Sequence, residues 1–224
     1  LFQAYELLRE ADLQGASTRL DQALSADFEC EEVLFALACA AWWKERLARL
    51  DACSSPFERG EFILSQWKLF ISFQNRKTGD FDDARYAFKR FAFLTALGEF
   101  RSLSPEDAAS WEPELALRIG RCLKGSGDFA GALGRLEPAA RDRRDVPELL
   151  AELADVYALV NEARTSKALF REAFFLNPQR IDTAFLECPA LVRLVEHIRS
   201  LGFRSPELEE WIPVYGSLLG VFTV

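Results

Sequence analysis

The sequence predicts an all-α protein in which antiparallel pairs of helices stack into a solenoid, closed by a helical cap at the C-terminal end. Apolar residues recur at helical spacing along most of the chain, and no segment alternates between apolar and polar residues as a strand would. Only 12 Gly and 9 Pro occur in 224 residues, which argues against a turn-rich all-β chain. Self-similarity at a spacing of 34 residues then predicts stacked helical pairs.

The first part of the chain is predicted to contain five helices, whose ends follow from breakers and caps. The sequence Ser-Pro-Phe-Glu at 55–58 is typical of a helix start, with a Ser cap and Pro in the first turn. Gly15 and Gly79 are expected to stop the helices that precede them. The predicted helices cover residues 2–13, 16–26, 31–50, 55–77 and 81–97.

Residues 98–111 are predicted to be an inserted connection with one short helix that begins at Ser104-Pro105. Asn177-Pro178 and Cys188-Pro189 interrupt the pattern further on, because Pro lacks an amide proton and restricts the residue before it. The helices expected in this part cover residues 112–125, 129–142, 147–161, 165–176 and 189–201, with a last one from Ser205. The whole chain would then contain eleven or twelve helices.

A repeat of 34 residues relates these helices, provided that residues 98–111 are counted as an insertion of 14. Two paired helices approach closely only where side chains are tiny, so each pair needs a small residue on both helices. The first helices supply Ala4, Ala38, Ser72, Gly120 and Ala154, and the second helices supply Ala16, Ala84, Ala132 and Ser166, with large Leu20, Phe88, Leu136 and Phe170 between pairs. The repeats cover about 1–29, 30–63, 64–97, 112–145 and 146–179, followed by a cap at 180–224.

The pattern resembles the tetratricopeptide repeat (TPR) family. The best-matching residues are Leu150, Leu153, Ala154, Tyr157, Phe170, Ala173 and Pro178, and the next are Ile119, Gly120, Leu123, Gly127, Ala132, Leu136 and Ala139. The resemblance implies a right-handed superhelix, an α-solenoid, whose concave surface is lined by the first helix of each pair. It is interrupted in the degenerate repeat 30–63, where Leu50, Ser54 and Phe57 replace the small, large, small set. No repeat has the Trp that the family places early in its first helix.

Charge and hydropathy exclude some classes of function. The net charge of −8 does not favour general binding to nucleic-acid phosphates. No apolar run reaches the roughly 18 to 20 residues that span a bilayer, so no transmembrane segment is predicted. Because the chain begins at Leu1 and contains no Met, we expect a fragment or a processed form, and a signal peptide or lipid anchor upstream would not be visible in this sequence.

The sequence predicts no catalytic residue, cofactor or metal site. Its single histidine, His197, lies in an apolar helical run, and the Lys124–Asp128 stretch, although rich in Gly, has neither a preceding strand nor a full phosphate-loop pattern. The acidic pairs at 31–32, 82–83 and 209–210 are typical of helix starts. The cysteines are odd in number and form no CxxC pair, which favours buried thiols in a reducing compartment such as the cytoplasm; they are Cys30, Cys39, Cys53, Cys122 and Cys188.

The resemblance also predicts a binding groove. Its candidate partner-binding residues are Tyr5, Phe35, Trp42, Trp43, Phe73, Arg76, Lys77, Arg121 and Lys124, and Arg9, Cys39, Leu69, Leu117, Asp155 and Leu159 lie on the same helix faces. An aromatic cluster beside four cations in an acidic protein would suit another protein or a peptide with apolar anchors and acidic groups. The alternative interpretation places Trp42 and Trp43 in the core.

The expected function is therefore a non-catalytic scaffold that binds a partner segment in the concave groove. The alternatives are an adaptor associated with a membrane or envelope through an anchor outside this chain, a carrier of a small ligand, and an enzyme framed by helical repeats. The apolar stretch from Trp211 to Phe222 is expected to fold back over the last repeat. Its alternatives are a contact between two copies of the chain and the start of a further downstream segment.

Overall fold

The computed structural model describes residues 1–222, and within them the chain is entirely helical, with no β-strand. The all-α prediction and the predicted number of helices are thereby confirmed. The twelve α-helices are α1 (Phe2–Arg9), α2 (Leu13–Ala26), α3 (Glu31–Leu47), α4 (Pro56–Gln74), α5 (Asp82–Arg101), α6 (Pro105–Ser110), α7 (Glu114–Gly125), α8 (Phe129–Asp142), α9 (Pro147–Leu159), α10 (Ala163–Leu176), α11 (Pro189–Ser200) and α12 (Glu207–Leu218). Short 3₁₀ helices cover Leu50–Ala52, Pro178–Arg180 and Thr183–Phe185.

The first two helices divide earlier than their apolar pattern predicted. Helix α1 ends at Arg9, and Ala11 takes a positive φ of 65°. The Asp12 carboxylate then accepts a hydrogen bond from the Gly15 amide and starts α2 at Leu13. The prediction that the first helix extends to Leu13 and stops near Gly15 was therefore wrong, because the capping Asp sets the boundary within an otherwise continuous apolar stretch.

Four helix pairs turn through a residue with positive φ. These residues are Ala11 between α1 and α2, Gly79 between α4 and α5, Gly127 between α7 and α8, and Asn161 between α9 and α10. The four turns keep the 34-residue spacing of the predicted repeat, once the insertion at 98–111 is counted. The turns at Ala11, Gly127 and Asn161 share one geometry, because the amide of the residue after each donates to the carbonyl oxygen five residues earlier, whereas Gly79 has a larger φ of 136°.

The chain divides into two compact bodies. The N-terminal body comprises residues 1–110 together with 125–127, and the C-terminal body comprises 111–124 and the chain from 128 onward. Within the N-terminal body, α1 packs against α2 and α5, and α4 packs along α5. Its core is aromatic, since Trp43 is fully buried with its ring 5.2 Å from that of Phe70 and 5.7 Å from that of Phe91.

The small residues are buried where the repeat predicted them in most pairs. Within the C-terminal body, a Cβ atom at Gly120 would overlap the side chain of Leu136, and Ala154 is fully buried. The predicted set on the second helices is buried throughout: Ala16, Ala84, Ala132 and Ser166. Close packing of these pairs therefore depends on the absence of larger side chains.

The prediction fails for two small residues of the N-terminal body. Ser72 is exposed and Ala38 is only half-buried. Helices α4 and α5 are 19 and 20 residues long, and their close approach lies at Gly60, where a Cβ atom would overlap the ring of Phe100. The predicted boundary between repeats at residues 63 and 64 falls inside α4, because Ser55 caps a single helix that continues through it.

The C-terminal stretch packs on the last helix pair. Helix α12 contacts α10 and buries Leu208, Ile212 and Gly216. The ring of Phe222 lies 5.4 Å from that of Phe174. The apolar residues at the end of the described chain therefore cover α10, as expected, while residues 223 and 224 lie outside the described part.

Candidate functional site

The nine predicted partner-binding residues lie in different environments. Arg76 and Lys77 are exposed, Trp42 and Phe73 are half-buried, and Tyr5, Phe35, Trp43, Arg121 and Lys124 are buried. The aromatic residues and the first two cations belong to the N-terminal body, whereas Arg121 and Lys124 belong to the C-terminal body. Each set is described within its own body.

Three of the predicted aromatic residues serve the core of the N-terminal body. The Tyr5 hydroxyl donates a hydrogen bond of 2.7 Å to Glu32 Oε1, and burial together with this bond raises the pKa of Tyr5 above its ordinary range. Phe35 stacks on Phe81 with ring centroids 4.7 Å apart, and Trp43 is enclosed by aromatic rings. The core interpretation therefore holds for Trp43, and these three side chains are not presented to a partner.

A cluster of half-buried and exposed side chains remains on α3, on α4 and just after α4, which we call the Trp42 surface: Trp42, Arg46, Leu69, Phe73, Arg76 and Lys77. The Trp42 ring lies 5.9 Å from that of Phe73, and the Arg46 guanidinium lies 3.6 Å from the centre of the Trp42 ring. Leu69 is 56% exposed and precedes Phe73 by one helical turn. Apolar and cationic groups therefore share one accessible face of the N-terminal body.

The cations of the Trp42 surface differ in their bonding. Arg46 donates to the carbonyl oxygen of Trp42 at 3.0 Å and pairs with Glu45 at 3.4 Å. Arg76 donates only a long bond of 3.3 Å to the carbonyl oxygen of Ser72. Neither Arg76 nor Lys77 has an ion-pair partner within residues 1–222, so both charges are available to an external acid.

The C-terminal body contains a buried ion-pair network between α7 and α9. The Lys124 Nζ atom donates to Glu152 Oε2 at 2.6 Å, to Asp155 Oδ2 at 2.6 Å and to the carbonyl oxygen of Phe185 at 2.9 Å. Arg121 pairs with Glu152 through its Nε atom. All four charged side chains are at most 7% exposed, so two cations and two carboxylates neutralise each other away from water.

The same network holds the segment that follows α10. The Asp155 carboxylate accepts hydrogen bonds from the amides of Glu187 at 2.9 Å and Cys188 at 2.6 Å. The Arg121 guanidinium lies 3.9 Å from the centre of the Phe185 ring. Residues 183–188 therefore occupy the faces of α7 and α9 that the repeat pattern assigned to a groove.

Electrostatics keeps the network ionised. Burial opposes the charged form of Lys124, but the charges of Glu152 and Asp155 outweigh it and raise the Lys124 pKa above its ordinary value of 10.5. Burial likewise opposes ionisation of Glu152, and the charges of Arg121 and Lys124 reverse that effect and hold the Glu152 pKa below 4.5. Both shifts favour the folded protein at neutral pH.

Arg121 and Lys124 are therefore not exposed groove cations, and this correction has a signal in the sequence. Asp155 lies 34 residues after Arg121, so one repeat places opposite charges at the same position of two successive first helices. Neighbouring first helices that carry opposite charges on one face can pair with each other before any partner binds. The repeat pattern identified the helix face, but the observed pairs are Arg121 with Glu152 and Lys124 with Asp155, each 31 residues apart in the chain.

The cysteines of this chain lie mainly in its interior. Cys39, Cys122 and Cys188 are buried, and burial raises the pKa of the Cys39 thiol to about 12. Within residues 1–222 no three His, Cys, Asp or Glu side chains are grouped so that they could hold a metal ion. In the same part of the chain, every helix is too short or too polar to cross a bilayer. No known protein family, curated protein or solved structure matches this chain.

Proposed function

We propose that this protein is a non-catalytic protein-interaction module that binds a partner segment at the Trp42 surface. The observation that carries the proposal is the exposed Leu69 one helical turn before Phe73, whose ring lies 5.9 Å from that of Trp42, followed by the exposed cations Arg76 and Lys77. Large side chains of this kind contribute much buried area to an interface, and cations at its edge contribute charge-assisted hydrogen bonds.

The frame for this surface is a TPR-like array that winds as a right-handed solenoid. The recurring positive φ at Ala11, Gly79, Gly127 and Asn161 supports it, as do the small residues buried in most pairs. In such an array the first helices form the binding face. The Trp42 surface lies on α3, on α4 and just after α4. Residues 183–188 fill the corresponding face of α7 and α9. We therefore assign binding to the N-terminal body.

The partner segment is acidic and carries an apolar anchor. Arg76 and Lys77 are exposed cations in a chain whose net charge is −8, so they offer a local attraction to carboxylates that the rest of the surface opposes. An apolar side chain can pack on Leu69 and Phe73, and its aromatic or aliphatic body would extend the existing Trp42 cluster. Complementary charge then gives the partner its orientation.

A peptide-display selection tests this proposal directly. Random peptides are selected on the parent protein, on an Arg76→Glu/Lys77→Glu variant and on a Leu69→Ala variant. We expect the parent to enrich acidic peptides with one large apolar residue, and both variants to lose that enrichment. All three side chains are accessible and lie outside the core, so the variants should keep the helical content of the parent.

Matched controls keep the test specific. Arg19→Glu/Arg101→Glu changes the same amount of exposed charge in the N-terminal body, and Phe28→Ala removes an apolar side chain that is 74% exposed. These controls should select the same peptides as the parent. Selection of neutral or basic peptides by the parent, or of unchanged peptides by the charge-reversed variant, would place the binding site elsewhere.

A further inference from the structure

A second site lies in the C-terminal body, in a cavity of about 350 Å³ bordered by α10, α11 and residues 219–221. Its lining includes three basic residues, Lys167, Arg193 and His197, together with the apolar residues Leu194, Leu219 and Val221. The volume is at the lower end of the range for small-ligand sites. Such a lining combines a cationic part with an apolar part in one concave surface.

The positions of the basic residues are fixed by the fold. Lys167 Nζ donates a bond of 3.2 Å to the carbonyl oxygen of Gly220, which also borders the cavity. Arg193 and His197 are four residues apart on α11, and therefore lie on one face of that helix. The His197 ring lies 5.8 Å from the ring of Tyr215 on α12. Contacts of residues on α10, α11 and α12 therefore support the border of the cavity.

Among the described residues that line this cavity, the charged side chains are all basic. No Asp or Glu belongs to its lining, and Arg193 has no ion-pair partner within residues 1–222. Two other cavities of the same body contain carboxylates beside their arginines, Glu112 and Asp142 in one and Glu137 and Glu172 in the other. In an acidic protein, a concave surface with bases and no acid attracts anions.

We propose that this cavity binds an organic phosphate, a phosphate monoester with a short apolar group. The phosphate would meet Lys167, Arg193 and His197, since guanidinium and ammonium groups are the preferred partners of its oxygens. The apolar group would pack on Leu194, Leu219 and Val221. The same chemistry is offered by a soluble phosphate monoester and by a phosphomonoester lipid headgroup. This site uses none of the residues of the Trp42 surface and stands independently of it.

Titration calorimetry with monobutyl phosphate and with inorganic phosphate tests the site. We expect the monoester to bind the parent more tightly than inorganic phosphate, because only the monoester has an apolar group. Arg193→Glu should weaken monobutyl phosphate binding at least about tenfold. Arg164→Glu, an equal charge change at an exposed position of α10 outside the cavity, should leave it unchanged.

Leu219→Ser separates the two parts of the site. Leu219 is 56% exposed, so its replacement should leave the fold intact while it reduces the preference for the monoester over inorganic phosphate. If the parent binds neither probe at millimolar concentration, or if Arg193→Glu and Arg164→Glu weaken binding equally, the proposal is overturned.

Vesicles of phosphatidylcholine with and without phosphatidic acid distinguish the two sources of the phosphate. Sedimentation of the parent with phosphatidic acid vesicles, lost in Arg193→Glu and reduced by an excess of monobutyl phosphate, would assign the site to a lipid headgroup. Calorimetric binding of monobutyl phosphate with no sedimentation would assign it to a soluble ester. Absence of both, or sedimentation that persists in Arg193→Glu, would overturn the proposal.

Discussion

Glu152 stabilises the C-terminal body by pairing with two buried cations, Arg121 and Lys124. Replacing Glu152 with Gln removes the carboxylate that pairs with both Arg121 and Lys124, while Asp155 keeps its pair with Lys124. We expect a loss of about 3 kcal/mol in the free energy of unfolding, because removal of the Glu152 charge leaves buried positive charge without compensation. Urea denaturation measures it, and Glu172→Gln, which breaks an exposed pair with Arg144, should cost less than about 1 kcal/mol.

The stability of the parent should also depend on pH through Glu152. The pKa of Glu152 is lower in the folded protein than its ordinary value of 4.5, so its contribution is complete above that pH and is lost as the pH falls through the folded value. The parent should therefore lose more stability than Glu152→Gln when the pH is lowered from 7 to 3. Parallel pH profiles for the two proteins would contradict this assignment.

Ala154 tests the packing of α9 at the residue scale. The side chain is fully buried at a position that the repeat reserves for small residues. Ala154→Leu should lower the free energy of unfolding by about 1 to 3 kcal/mol, because the added atoms overfill a close-packed interior. Ala168→Leu on the exposed face of α10 provides the control, and equal denaturation midpoints for the two variants would argue against close approach at Ala154.

At the scale of elements, the segment 183–188 is held to α9 by a single carboxylate. Asp155 accepts the amides of Glu187 and Cys188, and Lys124 binds the carbonyl oxygen of Phe185. Asp155→Asn should weaken these bonds, since an amide presents one acceptor oxygen and no charge. Amide hydrogen exchange at Glu187 and Cys188 should then accelerate, while exchange in the middle of α9 changes less.

The outcome of that experiment separates two roles for the segment. Faster exchange confined to residues 183–188 would show that this segment can detach from α7 and α9 while the helices stay folded. Equally faster amide exchange across α7, α9 and α10 would instead show that the segment and these helices open together as one cooperative unit. That result would contradict a role of Asp155 confined to residues 183–188.

At the scale of the whole molecule, the cations of the two bodies should respond in opposite ways to charge reversal. Arg121→Glu/Lys124→Glu would bury four acidic side chains together, and the cost should be a large fraction of the roughly 5 to 15 kcal/mol that typically holds a domain folded. Arg76→Glu/Lys77→Glu changes only exposed charge and should leave the thermal midpoint nearly unchanged. Circular dichroism melting of both variants checks this, and similar melting curves would contradict the burial of the network.

The sequence by itself determined the helices and most of their turns. Helix ends depend on local features such as the Ser55 cap and the breakers at Gly79 and Gly127, which a single sequence displays. The burial of the small residues on α7 to α10 was also predicted, because closely packed helix pairs require small side chains at the same position of each repeat. The break at Ala11–Asp12 was missed since an Asp cap can divide a continuous apolar pattern.

Only the tertiary structure decided which side chains remain accessible. Periodicity assigned Trp42 and Trp43, and likewise Arg76 and Arg121, to one groove face, but it could not show which of them a later segment covers. Residues 183–188 cover Arg121, and the aromatic core encloses Trp43, while Arg76 stays in solvent. The cavity at Lys167, Arg193 and His197 likewise joins elements distant in sequence. Helical spacing fixes the direction of a side chain on its own helix, whereas burial depends on what the rest of the chain places in front of it.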